Sequence, residues 1–387
     1  GGGGGSHSVP LYISECAPAS MRGLLSSVNS IFIVLGQVVA SLVCCLFAGR
    51  GTPQGWRYML GLGGLPALAM GAGFVVMPES PRYVLLRGHG SAASLREAEL
   101  VLRRLRGSAD PGAVGEELAA AAASLAQEGG SRVGLLAALR SRGLRRALLL
   151  GCSLQLLQQL CGVNTLMYYS ATILEMSSAK GSGACAPRRL ARAAGAAPGV
   201  REVCMTALVA SSQLAGTVAG MLLVDRLGRR PLALGSLAGV ALSLFALGAT
   251  FHPGGLEAGN APLWGMVAYL LSFGVGMAPL PWIVNAEIYP LRARSLCIGL
   301  ATAVNWVSNF LVAATFLDVS EALSTDPVCP RAHPDGAFWL YGLVALCGLM
   351  GLAAWMPETK GLGLEEIARL FEGPEGPGGE PKEEPNG

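Results

Sequence analysis

Charge is scarce in this chain. Asp, Glu, Lys and Arg make up 14% of its 387 residues, where a soluble domain carries about 25%. Histidine is scarcer still: His7, His89, His252 and His333 all lie outside the apolar stretches. No buried acid–base or nucleophile constellation therefore points to an enzyme. No CxxC or mixed His/Cys spacing suggests a metal site, and no cofactor is expected. No N-x-S/T acceptor for glycosylation occurs, and the run Gly1 to Gly5 has neither a start methionine nor the pattern of a signal peptide. The formal net charge of +3 is small and unclustered, which argues against a nucleic-acid partner.

Hydrophobicity is what the chain has in abundance. Apolar residues make up 52% of it, and the mean hydropathy is +0.49. They come in runs, and a bilayer core requires a run of about 20. Eight segments meet this, at approximately 24–48, 58–77, 147–175, 203–224, 232–251, 263–284, 296–317 and 337–356. Several contain Gly and Pro, such as Gly61, Gly63, Gly64 and Pro66, or Pro279 and Pro281. Membrane helices tolerate these where neighbours satisfy the freed backbone groups. The lipid bilayer is thus the first expected partner.

Alternating the loops from a cytoplasmic start puts 20 of the 28 Lys and Arg inside and eight outside, five of those eight in the loop 177–202. This distribution predicts a multi-pass protein with both termini cytoplasmic, and the plasma membrane is the expected location. The polar stretch 82–146 reads as short amphipathic helices at the cytoplasmic face. The Pro-, Gly- and Glu-rich tail after Phe371 reads as disordered. Cys44, Cys45, Cys152, Cys161, Cys204, Cys297 and Cys347 lie in or at the ends of apolar segments and read as free thiols acting as small hydrophobes. A bridge between the loop residues Cys185 and Cys329 stays open.

Self-similarity carries more information than any single segment. Residues 15–22 read ECAPASMR and residues 287–294 read EIYPLRAR, each with Pro three and Arg seven places after Glu. Two apolar segments follow each, and then PESPR at 78–82 or PETKG at 357–361, at offsets of 63 and 70 residues. Parallel repeats of this kind build transporters from two six-helix halves around a midplane site. The second copy has four segments before its Glu element and the first has none. The pattern predicts that about four helices are missing at the N-terminus. The domains are then 1–77, the remnant of an N-terminal bundle; 78–146, a cytoplasmic linker; 147–356, a six-helix C-terminal bundle; and 357–387, a cytoplasmic tail.

In chain order, VPLYISE (9–15), PESPR (78–82), QQLCGVN (158–164), YYS (168–170), DRLGRR (225–230), PLPW (279–282), EIYP (287–290), NW (305–306) and PETKG (357–361) run from residue 9 to about 371. The chain resembles the sugar porter branch of the major facilitator superfamily. It looks most like the proton-coupled myo-inositol cotransporters, through GWRYMLGL (55–62), MYYSATIL (167–174), LGSLAG (234–239) and PWIVNAEIYPLRARS (281–295). It departs from them where the short loop 252–262 replaces a large outer insertion. The resemblance implies an all-α membrane protein of the major facilitator fold, with eight of twelve helices present.

Gln155, Gln158 and Gln159 share one helical face, and Asn164 lies on another in an ideal helix. Unwinding at Gly162 would bring both to one cavity. Amides offer donors and an acceptor to an uncharged polyhydroxy ligand. By resemblance, Gln158, Gln159, Asn164, Trp282 and Asn305 contact substrate, and Tyr168 and Tyr169 form the outer gate. The family's Asn in the 203–224 segment falls on Gln213, whose longer amide leaves substrate choice open. The resemblance also implies cytoplasmic gating ion pairs among Glu15, Arg22, Glu79, Arg82, Asp225, Arg229, Arg230, Glu287, Arg294 and Glu358. The expected function is alternating-access transport of a sugar or polyol, myo-inositol with protons by resemblance. A facilitative hexose uniporter, a non-transporting nutrient sensor and an inactive fragment are the alternatives.

Overall fold

The computed structural model of this protein describes residues 9, 12–13, 15–18, 22–48, 54–88, 91–107, 111–128, 140–181, 199–255, 259–330, 333–362, 366–367 and 370–371. Eight helical stretches among them are long and apolar enough to cross a bilayer: Val28–Ala48, Gly55–Val76, Arg142–Tyr168, Val200–Leu227, Arg229–Phe251, Ala261–Glu287, Ala293–Ala322 and Asp335–Trp355. They coincide with the apolar runs, because a segment in hydrocarbon must satisfy its backbone polar groups internally.

The first span is α1 (Arg22–Ala48). The second is divided at Gly63 into α2 (Gly55–Leu62) and α3 (Gly64–Val76). The linker folds into α4 (Pro81–Arg87), α5 (Ala92–Arg106) and α6 (Pro111–Glu128). The third span is α7 (Arg142–Leu160) and α8 (Val163–Tyr168), continued by α9 (Ser170–Gly181). Then come α10 (Val200–Leu227), α11 (Arg229–Phe251), α12 (Ala261–Val275), α13 (Leu280–Glu287), α14 (Leu291–Ala322) and α15 (Asp335–Trp355).

From Ala147 to Phe371 one apolar core is continuous. Its largest fully buried side chains include Tyr269, Tyr289, Phe251, Phe273, Phe316 and Phe338. In a membrane such a core is held by close van der Waals contact, because lipid is as apolar as leucine. Glycine makes that contact possible where α10 crosses α12. A Cβ on Gly216 would stand 2.4 Å from Leu271 O, and one on Gly220 would stand 2.0 Å from Val275 O. The backbones of the two helices touch there.

Outside this bundle, α1 packs along α10 with Val34 and Val38 as its buried apolar side chains. Of the 55–76 span Gly55 alone is buried. The linker has a core of its own, Val84, Leu85 and Ala98 packed with Leu95, Leu118 and Ala121. Ser80 and Ser91 cap α4 and α5 by accepting from the backbone N–H of Tyr83 and Ser94, which satisfies donors left open by each first turn. Arg106 pairs with Glu117 and donates from Nη1 to Cys16 O at 2.8 Å. This ties the linker to the stub ahead of α1.

The cysteines correct the expectation of free thiols at two positions. Cys45 and Cys204 form a disulfide across 159 residues of sequence. Each lies in an apolar segment and looks inert alone, but the docking of α1 on α10 sets them opposite one another. Cys329 is also disulfide-bonded, while Cys185 lies outside the described residues. Cys44, Cys152, Cys161, Cys297 and Cys347 are free thiols, as expected.

Candidate functional site

Two helix breaks organise the centre of the bundle. The first is at Gly162, which adopts φ +81°, a left-handed conformation that glycine reaches without steric cost. A Cβ there would also meet the Tyr341 ring at 2.7 Å. The freed carbonyl of Cys161 accepts from Tyr269 Oη at 2.8 Å. The second break spans Gly276–Pro279, where Pro279 and Pro281 cannot donate to a helical ladder.

Gln158 spans from one break to the other. Its Nε2 donates to Met277 O at 2.8 Å and to Ala278 O at 3.1 Å, carbonyls exposed by the α12–α13 interruption. Its Oε1 accepts from Asn305 Nδ2 at 2.8 Å, and Asn305 also donates to Gln155 Oε1 at 2.7 Å. Asn164 Nδ2, carried round by the turn at Gly162, donates to Gln159 Oε1. Asn309 Nδ2 reaches the same oxygen at 3.3 Å. Six amides from α7, α8 and α14 thus form one network containing no formal charge, and Gln155, Gln158, Gln159 and Asn305 are all buried. Gln213 Oε1 on α10 is buried and has no hydrogen-bond partner.

Trp282 is half-buried in the first turn of α13. Tyr169 donates from Oη to Ala313 O at 3.1 Å and sets its ring 5.1 Å from that of Phe316. Tyr168 is 59% exposed and stays outside the network.

The charged motifs form a second cluster. Arg229 bridges Asp225 at 3.3 Å and Glu287 at 3.0 Å, and Thr359 Oγ1 donates to the other oxygen of Glu287 at 2.8 Å. Glu358 is held by main-chain N–H groups. It accepts from the backbone N–H of Arg229 at 2.9 Å and of Arg230 at 3.0 Å, at the N-terminus of α11, where a negative charge is favoured. Gly228 precedes these amides with φ +98°, and a Cβ there would stand 2.6 Å from the Glu358 carboxylate. The Arg230 side chain donates to Ala353 O at 2.6 Å, and Arg294 donates to Tyr289 O at 3.2 Å. Glu15 and Glu79 make no ion pair among the described residues. Arg82 opens α4, and the side chain of Arg22 lies outside the described residues. The pairs that the structure describes in this cluster therefore lie within residues 225–360.

The sequence profile of the family described as "Sugar (and other) transporter" matches residues 1–371. This chain belongs to that family. The human proton myo-inositol cotransporter is 32% identical over 458 residues, covering 95% of this chain and 65% of that protein. The probable inositol transporter 2 of Arabidopsis thaliana is 29% identical, covering 95% of this chain and 72% of that protein. Among solved structures, the proton:xylose symporter XylE bound to 6-bromo-6-deoxy-D-glucose superposes with a TM-score of 0.70 at 28% identity, covering 95% of this chain and 71% of that one. The partially occluded inward-open XylE from E. coli superposes equally, at 0.70 with 26% identity. The chain spans about two thirds of the length of these relatives. Its fold is that of the major facilitator sugar transporters, and members of this family are transporters rather than enzymes.

Within this sugar transporter fold, sequence reasoning missed Asn285 and Tyr289. Tyr289 Oη donates to Asn285 Oδ1 at 2.7 Å, and Asn285 Nδ2 donates to Gly151 O at 3.2 Å, locking α13 to α7. The apolar run around Asn285 and the EIYP motif were the available signals, but neither shows which neighbour the amide meets.

Glu358 carries a testable pH dependence. Burial raises its pKa, but the backbone N–H groups of Arg229, Lys360, Arg230 and Thr359 outweigh burial and hold it below the ordinary value of 4.5. Its ionised form therefore stabilises the fold above about pH 4.5, and that contribution fades as pH falls through the lowered pKa. Thermal unfolding of wild type and Glu358→Gln should differ most at neutral pH and converge under strong acid. A difference that stays constant with pH would reject the assignment.

Proposed function

We propose that this protein carries myo-inositol together with protons across the membrane by alternating access. The observation that carries this reading is the uncharged network of Gln155, Gln158, Gln159, Asn164, Asn305 and Asn309 at two helix breaks. Such a network suits a neutral ring with many hydroxyls, since each hydroxyl both donates and accepts. It also disfavours a ligand lacking them, because buried amides would lose partners. Gln158, Gln159, Asn164, Trp282 and Asn305 contact the substrate in this reading. Tyr168 and Tyr169 close the outer side, and the charged clusters at the helix ends bias the inner side.

Residues 1–77 and 147–356 belong to two halves that rock about the site, joined by the linker 78–146. Both termini face the cytoplasm of a plasma-membrane protein. The positions of the disulfide-bonded cysteines support this orientation, since Cys45 and Cys204 lie near the ends of their spans and Cys329 in the loop between α14 and α15, all remote from the basic motifs, as an oxidising outer side would require.

The test is uptake of labelled myo-inositol into proteoliposomes holding the purified protein. Uptake should saturate, exceed equilibrium when the outside is acidic, and fall back to equilibrium when a protonophore collapses the gradient. Because XylE holds a hexose derivative, D-glucose is the second substrate to assay. Saturable glucose uptake indifferent to the gradient would replace the proposal with a hexose uniporter. Binding without flux of either solute would replace it with a sensor.

A further inference from the structure

The bridge between Cys45 and Cys204 has its Cα atoms 4.6 Å apart, within the range an unforced disulfide occupies. Cys45 lies in the last turn of α1, and Cys204 in the second turn of α10. From Cys204 to Asp225 the helix rises about 32 Å at about 1.5 Å per residue. That is the thickness of a hydrocarbon core. The bridge therefore stands at one face of the membrane and the Asp225–Arg229–Glu287 cluster at the other.

Below the bridge no hydrogen bond joins the described side chains of α1 to α10. Val34, Val38 and Cys45 fall on one stripe of α1 at helical spacing, and the two valines are its buried apolar side chains. Ser41, between them, donates to Gln37 O within its own helix. A stripe of valines, with Gln37 Oε1 buried and unpartnered beside them and no hydrogen bond to α10 among its described side chains, can separate or slide at small cost, whereas a covalent bond at its end cannot.

We propose that Cys45–Cys204 is a redox-modification site that clasps the seam between the two halves at the outer face. Oxidised, it holds that face shut at α1 and α10 while leaving the opposite face free to move. A dithiol opens it: thiolate attack on one sulfur gives a mixed disulfide, and the second thiol of the reagent displaces the remaining protein sulfur. The reagent leaves as a disulfide, and its two protons pass to Cys45 and Cys204, so atoms and electrons balance. Both cysteines are part-exposed, which such an attack requires. The inference rests on the reading of residues 1–77 and 147–356 as halves that move against each other.

The experiment uses the purified full-length protein in proteoliposomes, with dithiothreitol as the dithiol. Peptide mass spectrometry without reduction should find the Cys45–Cys204 linked peptide, and after dithiothreitol it should be gone. Hydrogen exchange needs no substrate. It should quicken at least threefold over residues 38–48 and 200–210 on reduction. Myo-inositol uptake should rise at least threefold as well. Cys45→Ser and Cys204→Ser should each match reduced wild type and ignore dithiothreitol, two variants guarding against a folding defect in one.

Absence of the linked peptide overturns the proposal. So does exchange that ignores reduction, which would make the bridge a static staple. A dithiothreitol response that persists in both serine variants also overturns it, by moving the effect to the Cys329 bridge. Exchange that responds without uptake in either redox state counts for the clasp and against transport.

Discussion

Gln158→Ala should lower the initial rate of myo-inositol uptake about a hundredfold while leaving the protein folded. The native amide donates to Met277 O and Ala278 O and accepts from Asn305. Removing it strands two carbonyls at the α12–α13 break. A buried polar group left without its partner costs about 1–3 kcal/mol, and 1.36 kcal/mol is a factor of ten in rate. Loss of the partners together therefore reaches about two decades. The protein should still run as a single species by size exclusion, because apolar packing around Leu150, Leu154 and Phe316 is untouched. Uptake within threefold of wild type would sink the substrate role of this network. Gln158→Glu is the informative companion, since it keeps size but introduces charge into a neutral cluster.

Gly220→Val should prevent the bundle from forming. The new Cβ would sit 2.0 Å from Val275 O and 2.7 Å from Val275 C, both backbone atoms. Ordinary overpacking costs about 1–3 kcal/mol because side chains can shift. Here the obstacle is the main chain of α12, itself pinned by Gly274 against Gln213 O. Detergent extracts should contain aggregate and no monodisperse peak. Gly235→Val is the control, since a Cβ at that glycine meets nothing within 4 Å, and it should purify like wild type. A monodisperse Gly220→Val protein at normal yield would mean that α10 and α12 do not cross as described.

Much of this architecture was legible in apolar runs. The 232–251 segment anticipates the Arg229–Phe251 span, and the amides at 155, 158 and 159 declare a shared face by spacing alone. Asn164 was harder, because its arrival at Gln159 depends on one backbone angle at Gly162, which run length does not encode. Glu358 is conspicuous in PETKG, yet charge suggested an arginine partner. Its true partners are main-chain N–H groups, which every residue carries and no motif advertises. The pairing of Cys45 with Cys204 was invisible for a different reason. It depends on the docking of two helices 159 residues apart in sequence, and local composition says nothing of which helix faces which.

The carboxylate at Glu358 also orders events during synthesis. It caps α11 from beyond the end of α15, so the helix beginning at Arg229 enters the membrane long before its own cap has been translated. Until the ribosome has delivered residue 358, the amides of Arg229 and Arg230 must be held by water or headgroups. The bundle is then latched by a residue made after the last of its described spans, and a nascent chain stalled just past Trp355 would carry all eight of them yet lack the closing bond.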